Sequence, residues 1–172
     1  MLVLSEVYLH PMTRELCHAF FKKFENDTDI FVDSTAYAQY QYDEKKVNEY
    51  FDMNQDASRI VFAVMLDNKP IGEIKLKNID FKKEECSLGI HLVNDSVKGK
   101  GYGTQAEKLA LQYAFEILRM QAVNADTLVK NVRSQRVLEK VGFQYVQEED
   151  GYRYYKIKKR LVYNFYWQKI SN

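Results

Sequence analysis

Three glycines fall within the five residues Gly99–Gly103, preceded by Lys98, interleaved with Lys100 and Tyr102, and followed by Thr104 and a helix-forming run, "VKGKGYGTQAEKLA". A chain that places such a loop between a strand and a helix exposes several backbone N–H groups with the positive end of the helix dipole behind them. That arrangement is an anion cradle. Glycine lets a ligand approach the main chain closely, and the two lysines add point charges suited to phosphate. Spacing excludes two common phosphate loops. Gly103 runs directly into Thr104 with no lysine between, unlike the nucleotide triphosphatase loop. "GKGYGT" lacks the third glycine spacing of the dinucleotide fingerprint, and no parallel unit precedes it. Taken alone, the glycines could equally serve only a tight turn.

The rest of the chain alternates between the two periodicities. "EVYLHP" reads as a short strand ended by Pro11, with Thr13 placed to cap a helix whose buried face is Leu16, Ala19, Phe20 and Phe24. An acidic loop follows, carrying Glu25, Asp27, Asp29 and Asp33; it reads as a solvated loop or as an acidic rim near an amine site. A second helix spans "DEKKVNEYFDMNQ". "RIVFAVML" and "IGEIKLKNI" form a central hairpin around "DNKP", and "CSLGIHLV" adds a strand with Leu88, Ile90 and Leu92 on one face and Ser87, Gly89 and His91 on the other. Beyond the loop, Leu109, Ala110, Tyr113, Ala114 and Ile117 mark one stripe of a long helix. "AVNADTLV" is a strand, "SQRVLEKV" a helix closed by Gly142, and "FQYVQEE" with "YRYYKIKK" a terminal hairpin. This order is α+β.

Composition narrows the function classes. At 172 residues the chain reads as one domain, residues 1–172, with 46% hydrophobic and 28% charged residues typical of a soluble globular protein. A formal net charge of +1 argues against a general nucleic-acid partner. "MLVLSEVYLHP" lacks a basic n-region and breaks its apolar run at Ser5 and Glu6, so no membrane association and a cytoplasmic location are expected. Cys17 and Cys86 sit in apolar periodic segments without ligand spacing; they read as buried inert thiols, and no metal site is expected. The tail 160–172 includes the aromatic "RLVYNFYWQKI"; it either closes the sheet or covers a partner, and its exposure would point to a homodimer.

The glycine loop has a companion in "NVRSQRVLEKVGF", Asn131–Phe143. Together the two segments resemble the GNAT superfamily of acetyl-CoA-dependent N-acetyltransferases, whose loop Gln/Arg-x-x-Gly-x-Gly/Ala is matched by "KGKGYG" with Lys98 first. "LGIHL", "GKGYGTQA" and "LQYAF" look more narrowly like the RimJ/RimL-type ribosomal-protein N-terminal acetyltransferases. The resemblance covers roughly Cys86 to Phe143. It implies a mixed, mostly antiparallel sheet of about six to seven strands flanked by about four helices. It also implies that acetyl-CoA is the cosubstrate, with the loop Lys98, Gly99, Lys100, Gly101, Tyr102, Gly103 and Thr104 holding its diphosphate. Leu92 and Val93 would pair their main chain with the pantetheine arm, and Asn131 and Ser134 would lie along it. Asn131 also suits a helix N-cap, and the two roles are compatible.

Acetyl transfer to an amine needs a neutral amine, a stabilised tetrahedral oxyanion and a protonated leaving thiolate. An alkylammonium of pKa ~10.4 costs roughly 4 to 5 kcal/mol to deprotonate at pH 7, an α-amino group of ~7.8 only about 1, and a thiol of ~8.5 leaves with modest help. Two features that the resemblance leads one to expect are absent: Leu138 stands where many members carry a tyrosine acid, and Ser87 where others carry a glutamate base. Ser134 is then the acid candidate. Glu73, Glu85, His91 or a water relay are the candidates for the base. Glu73 shares a strand face with Lys75 and Lys77 and reads as one of an exposed charged pair. A weak base favours a low-pKa amine such as a protein or peptide N-terminus; a polyamine or aminoglycoside acceptor, and a non-catalytic acyl-CoA-binding module, are the alternatives.

Overall fold

A computed structural model describes residues 7–26, 28–31, 33, 35 and 38–159. The first six residues, Asp27 and the aromatic tail from Arg160 onward therefore lie outside the described residues.

The sheet is organised by its two most apolar strands. β2 (Ile60–Leu66) and β3 (Lys69–Asp80) pair antiparallel, and the run from Phe62 to Met65 is buried on both faces. Their two-residue turn puts Asp67 at φ 48° and Asn68 at φ 60°, the left-handed geometry that short polar side chains tolerate and that matches strand twist. β1 (Tyr8–Pro11) flanks β2, and β4 (Glu85–Leu92) flanks β3, both antiparallel. β5 (Ala122–Leu128) lies parallel to β4, and β7 (Tyr152–Lys158) and β6 (Gln144–Glu149) complete a seven-stranded sheet ordered β1-β2-β3-β4-β5-β7-β6. This is the expected α+β architecture, and its one parallel pair is β4 with β5.

Four α-helices lie among the described residues. Thr13 caps α1 (Arg14–Phe21) by accepting from the Leu16 amide, Asp43 caps α2 (Glu44–Met53) from Lys46, and Asn131 caps α4 (Val132–Val141) from Ser134. Gly142, at φ 111°, ends α4 in the left-handed conformation expected of it. α3 (Tyr102–Gln112) connects β4 to β5. Glu73 on β3 meets Tyr50 of α2, whereas Leu92, which pairs with Gly72 and is thus one residue out of phase, faces Gly103 of α3. The two helix pairs, α1 with α2 and α3 with α4, therefore cover opposite faces of the sheet. Phe20, Val64, Ile74, Leu76, Val123, Tyr155 and Ile157 are at most 1% exposed, and each contributes roughly 1.5–3 kcal/mol on burial.

The long helix departs from the expected stripe. After Gln112 it widens into a π turn, Tyr113–Ile117, closed by Leu118 N–H donating to the Tyr113 carbonyl at 3.1 Å. The extra residue rotates Ile117 into solvent, where it is 64% exposed. The buried stripe instead reads Ala106, Glu107, Ala110, Leu111, Ala114 and Phe115, with Leu109 and Tyr113 at its margin.

Candidate active site

β4 and β5 pair only from Glu85 with Ala122 to Leu88 with Ala125. Beyond that point the two strands separate, and a cleft of about 370 Å³ opens between them, floored by Leu88, Gly103, Glu107 and Leu138. Val93 cannot offer its main chain to this opening, because its N–H donates to the Ile71 carbonyl at 2.8 Å and its own carbonyl accepts from Glu25 N–H at 2.7 Å. Backbone groups alternate sides along a strand, so those of Leu92 and Ile90 turn the other way, toward the split. The main chain left open to the split is therefore that of Leu92 and Ile90, not of Val93.

The glycine loop enters the cleft from the C-terminal end of β4. Gly99 (φ 73°) and Gly101 (φ 84°) both occupy the left-handed region that favours glycine. Gly101 is the N-cap of α3, which carries no side-chain cap and no acidic residue in its first turn, unlike the Thr13, Asp43 and Asn131 caps of the other three helices. The first bond of the helix runs from Gln105 N–H to the Gly101 carbonyl, leaving the amides of Tyr102, Gly103 and Thr104 without an intrahelical acceptor. Lys98 lines the cleft and lies 3.1 Å from Asp95, which Arg133 also reaches at 3.0 Å; Lys100 is exposed at the loop's tip. Main chain, helix dipole and lysines together suit a diphosphate.

At the other end of the cleft the structure overturns the reading of Glu73 as an exposed residue. It is 2% exposed, and the Tyr50 hydroxyl donates to its carboxylate at 2.5 and 2.7 Å. Lys75 Nζ lies 3.5 Å and His91 Nδ1 3.6 Å from Glu73 Oε1, His91 being its cross-strand partner on β4. Burial pushes the Glu73 carboxyl up, but hydrogen bonding with His91, the Lys75 ammonium and the Tyr50 hydroxyl outweigh it and hold the group below the usual carboxylate value. Lys75 also stacks 4.3 Å over the Tyr50 ring, so the cluster is closed on the helix side, while His91 remains half-exposed at the cleft. Glu25, Asp29 and Asp126 line the same end, whereas Asp33 bonds to Thr35 outside it.

Asn131 and Ser134 line the wall opposite, with the Asn131 side chain accepting from the Ser134 amide at 3.0 Å, so the capping role and the cleft position coincide. Gln135 locks this end of α4 by donating to the carbonyls of Leu128 and Val129 and accepting from Arg153. Glu85 lies away from the cleft, bound to Lys156 at 2.7 Å and Asn124 at 3.1 Å. Burial pushes the Cys17 and Cys86 thiols up to about 12 and about 11, consistent with inert core cysteines.

Residues 6–144 match the acetyltransferase (GNAT) domain family. The chain belongs to the GNAT acetyltransferase family. That family uses acetyl-CoA as cosubstrate, and the split strands and uncapped glycine loop fit that molecule's arm and diphosphate. The chain is 29% identical over 101 residues to "Probable N-acetyltransferase YjcK" of Bacillus subtilis, covering 58% of this chain and 56% of that one. It is 31% identical over 88 residues to YdaF of the same organism, a candidate ribosomal N-acetyltransferase, covering 51% and 48%. The chain thus spans about half the length of these curated relatives. Its fold matches a chimera of spermidine N-acetyltransferase SpeG from Vibrio cholerae and hSSAT with a TM-score of 0.73 at 20% identity, over 93% of this chain and 99% of that one. Among the described residues no helix is long and apolar enough to cross a membrane, and no group of His, Cys, Asp and Glu could hold a metal ion.

Two residues of this GNAT site escape the sequence reading. Tyr50 follows buried Val47 by three positions, so it shares the inward face of α2 with a hydroxyl that needs a partner. Glu107 is 1% exposed within the apolar stripe of α3, and its Oε2 has no hydrogen-bond partner. An acid four residues before Leu111 and seven before Ala114 was the available signal.

Proposed function

We propose that this protein transfers the acetyl group of acetyl-CoA to a primary amine by direct attack, the acceptor being the α-amino group of a protein or peptide. The observation that carries the reading is the opening of the parallel β4/β5 pair directly over an uncapped, glycine-started helix N-terminus. The loop amides and Lys98 hold the diphosphate. Leu92 and Ile90 receive the arm. Asn131 and Ser134 flank its reactive end. In the reaction the amine nitrogen bonds to the thioester carbonyl carbon, the tetrahedral oxyanion collapses, the C–S bond breaks, and the Ser134 hydroxyl relays a proton from solvent to the thiolate.

The acceptor follows from the base. Glu73 is a carboxylate that hydrogen bonding with His91, the Lys75 ammonium and the Tyr50 hydroxyl hold below the usual carboxylate value. Such a weak base is a poor direct acceptor for either amine, and deprotonating an alkylammonium of ~10.4 costs about 3.5 kcal/mol more than deprotonating an α-ammonium of ~7.8. Glu73 is better suited to orienting His91, whose Nδ1 faces it and whose Nε2 then takes the amine proton. Such a site works best on an amine that is already partly neutral. A polyamine acceptor is the second reading, favoured by the acidic side chains Glu25, Asp29 and Asp126 along the acceptor end.

A free-thiol release assay with acetyl-CoA at neutral pH, run against N-terminal peptides, spermidine and an aminoglycoside, tests both. Peptide turnover well above the others supports the first reading. Dominant spermidine turnover selects the second, and coenzyme binding without thiol release for any amine contradicts both.

A further inference from the structure

Glu107 is the one described acid that is almost wholly buried yet serves neither the Glu73 cluster nor an ion pair. It is 1% exposed, lines the cleft together with Gly103, Leu88 and Leu138, and leaves its Oε2 without a partner. A buried carboxyl oxygen without a partner is costly, and natural interiors rarely keep one without a use. Its position is informative. Four residues along α3 at 1.5 Å each place it about 6 Å below Gly103, one turn beneath the loop amides and on the same side of the helix. That depth is too far in to touch a diphosphate at the helix mouth. It lies beside whatever runs from that mouth into the cleft.

Building on the acetyl-CoA reading above, we infer that the Glu107 carboxyl is a coenzyme-binding group that hydrogen-bonds an amide of the pantetheine arm from the floor of the cleft. Burial pushes its pKa up to about 8, with no contribution from a charged neighbour, so the group is mostly a neutral acid at pH 7. Nearby charges are engaged elsewhere: Glu73, Lys75 and His91 with one another, Lys77 with Asp126, and Arg133 with Asp95. A neutral carboxylic acid carries one O–H donor and a carbonyl acceptor, the same pair that a secondary amide presents in reverse. Leu92 and Ile90 bind the arm through their main chain from the strand side, and Glu107 binds it from the helix side. The carboxyl, which no side chain or backbone group satisfies at Oε2 in the free protein, then gains a partner through its cleft-lining side, and part of the cost of burying the group is returned on binding.

Calorimetry on the full chain tests this with two ligands: coenzyme A, and adenosine 3′-phosphate 5′-diphosphate, which keeps the phosphates and lacks the arm. Glu107→Leu should weaken coenzyme A roughly tenfold, the size of one to two hydrogen bonds, while leaving the nucleotide fragment unchanged. Glu107→Gln, which keeps one donor and one acceptor at the same place, should retain coenzyme A affinity within about threefold. Unchanged coenzyme A affinity in Glu107→Leu overturns the inference, and so does an equal loss for both ligands, which would mark a structural role. Infrared difference spectra of the wild type need no variant: the C=O stretch of a protonated carboxylic acid, absent in Glu107→Gln, should move on adding coenzyme A, and a band that stays in place overturns the inference. Failure of the wild type to bind either ligand would instead bring down the acetyl-CoA reading on which it rests.

Discussion

Replacing Glu107 by glutamine should change how stability depends on pH, and the size of the change follows from burial. Burial pushes the folded carboxyl up to about 8 against an ordinary value of 4.5, so between those values the folded state holds a proton that the unfolded state has lost. Stability contributed by this difference is fully present below 4.5, falls as pH rises, and is lost by about 8. Each pH unit in that window removes about 1.4 kcal/mol; the loss is about 3 kcal/mol at pH 7 and about 5 above pH 8. Glutamine does not titrate. Its absolute effect is harder to fix, because a second buried N–H donor without a partner costs about 1–3 kcal/mol. The slope escapes that uncertainty. Urea unfolding of wild type and Glu107→Gln at half-unit steps from pH 5 to 9 should give a difference that grows in the variant's favour by about 1.4 kcal/mol per unit and levels off near pH 8. The two proteins share every other ionisable side chain, so the difference isolates one group. Parallel profiles across that range would refute the argument that Glu107 is a buried acid with no compensating partner.

Three further outcomes follow from the site. Gly101→Ala meets no atom within 4 Å of the added Cβ, but φ is 84°, so it should cost about 1–2 kcal/mol of stability and weaken coenzyme A binding measured by calorimetry; unchanged affinity would count against the loop as its contact. Glu73→Gln should lower kcat by about 10²-fold with little change in coenzyme affinity and should shift the pH–rate profile, because it removes the anchor of His91. The stability that Glu73 contributes is present above its ordinary value of 4.5 and is lost as pH falls through its depressed folded value, so in unfolding assays the variant should be less stable than wild type at neutral pH and should approach it in acid. Asn131→Ala should lose about 1 kcal/mol of stability in urea through the missing cap on α4, with a larger effect on turnover than a remote cap would have.

Features whose cause is local were readable from the chain. Thr13, Asn131 and Gly142 cap helices because of their own side chains or lack of one, and the glycines at 99 and 101 take positive φ because the loop demands it. The strands of the central hairpin announced themselves by β-branched and apolar alternation, and the loop and the Asn131 helix, singled out together in the sequence, line one cleft. What failed depended on distant partners. Glu73 looks solvent-facing beside Lys75 and Lys77 until Tyr50, 23 residues earlier, and His91, across the strand pair, close over it. Val93 looks available until Ile71 and Glu25 occupy both of its main-chain groups. The π turn after Gln112, which turns Ile117 outward, is a single inserted residue that no periodicity of 3.6 anticipates.

Amide chemical shifts of the 15N-labelled chain during titration with coenzyme A test most directly whether the main chain at the start of α3 holds a diphosphate. The account predicts large, saturable shifts at Lys100 to Thr104 together with Leu92 and Ile90, and none at the Glu85–Lys156 end of β4. Coenzyme binding that leaves the Gly101–Thr104 amides unmoved would contradict it.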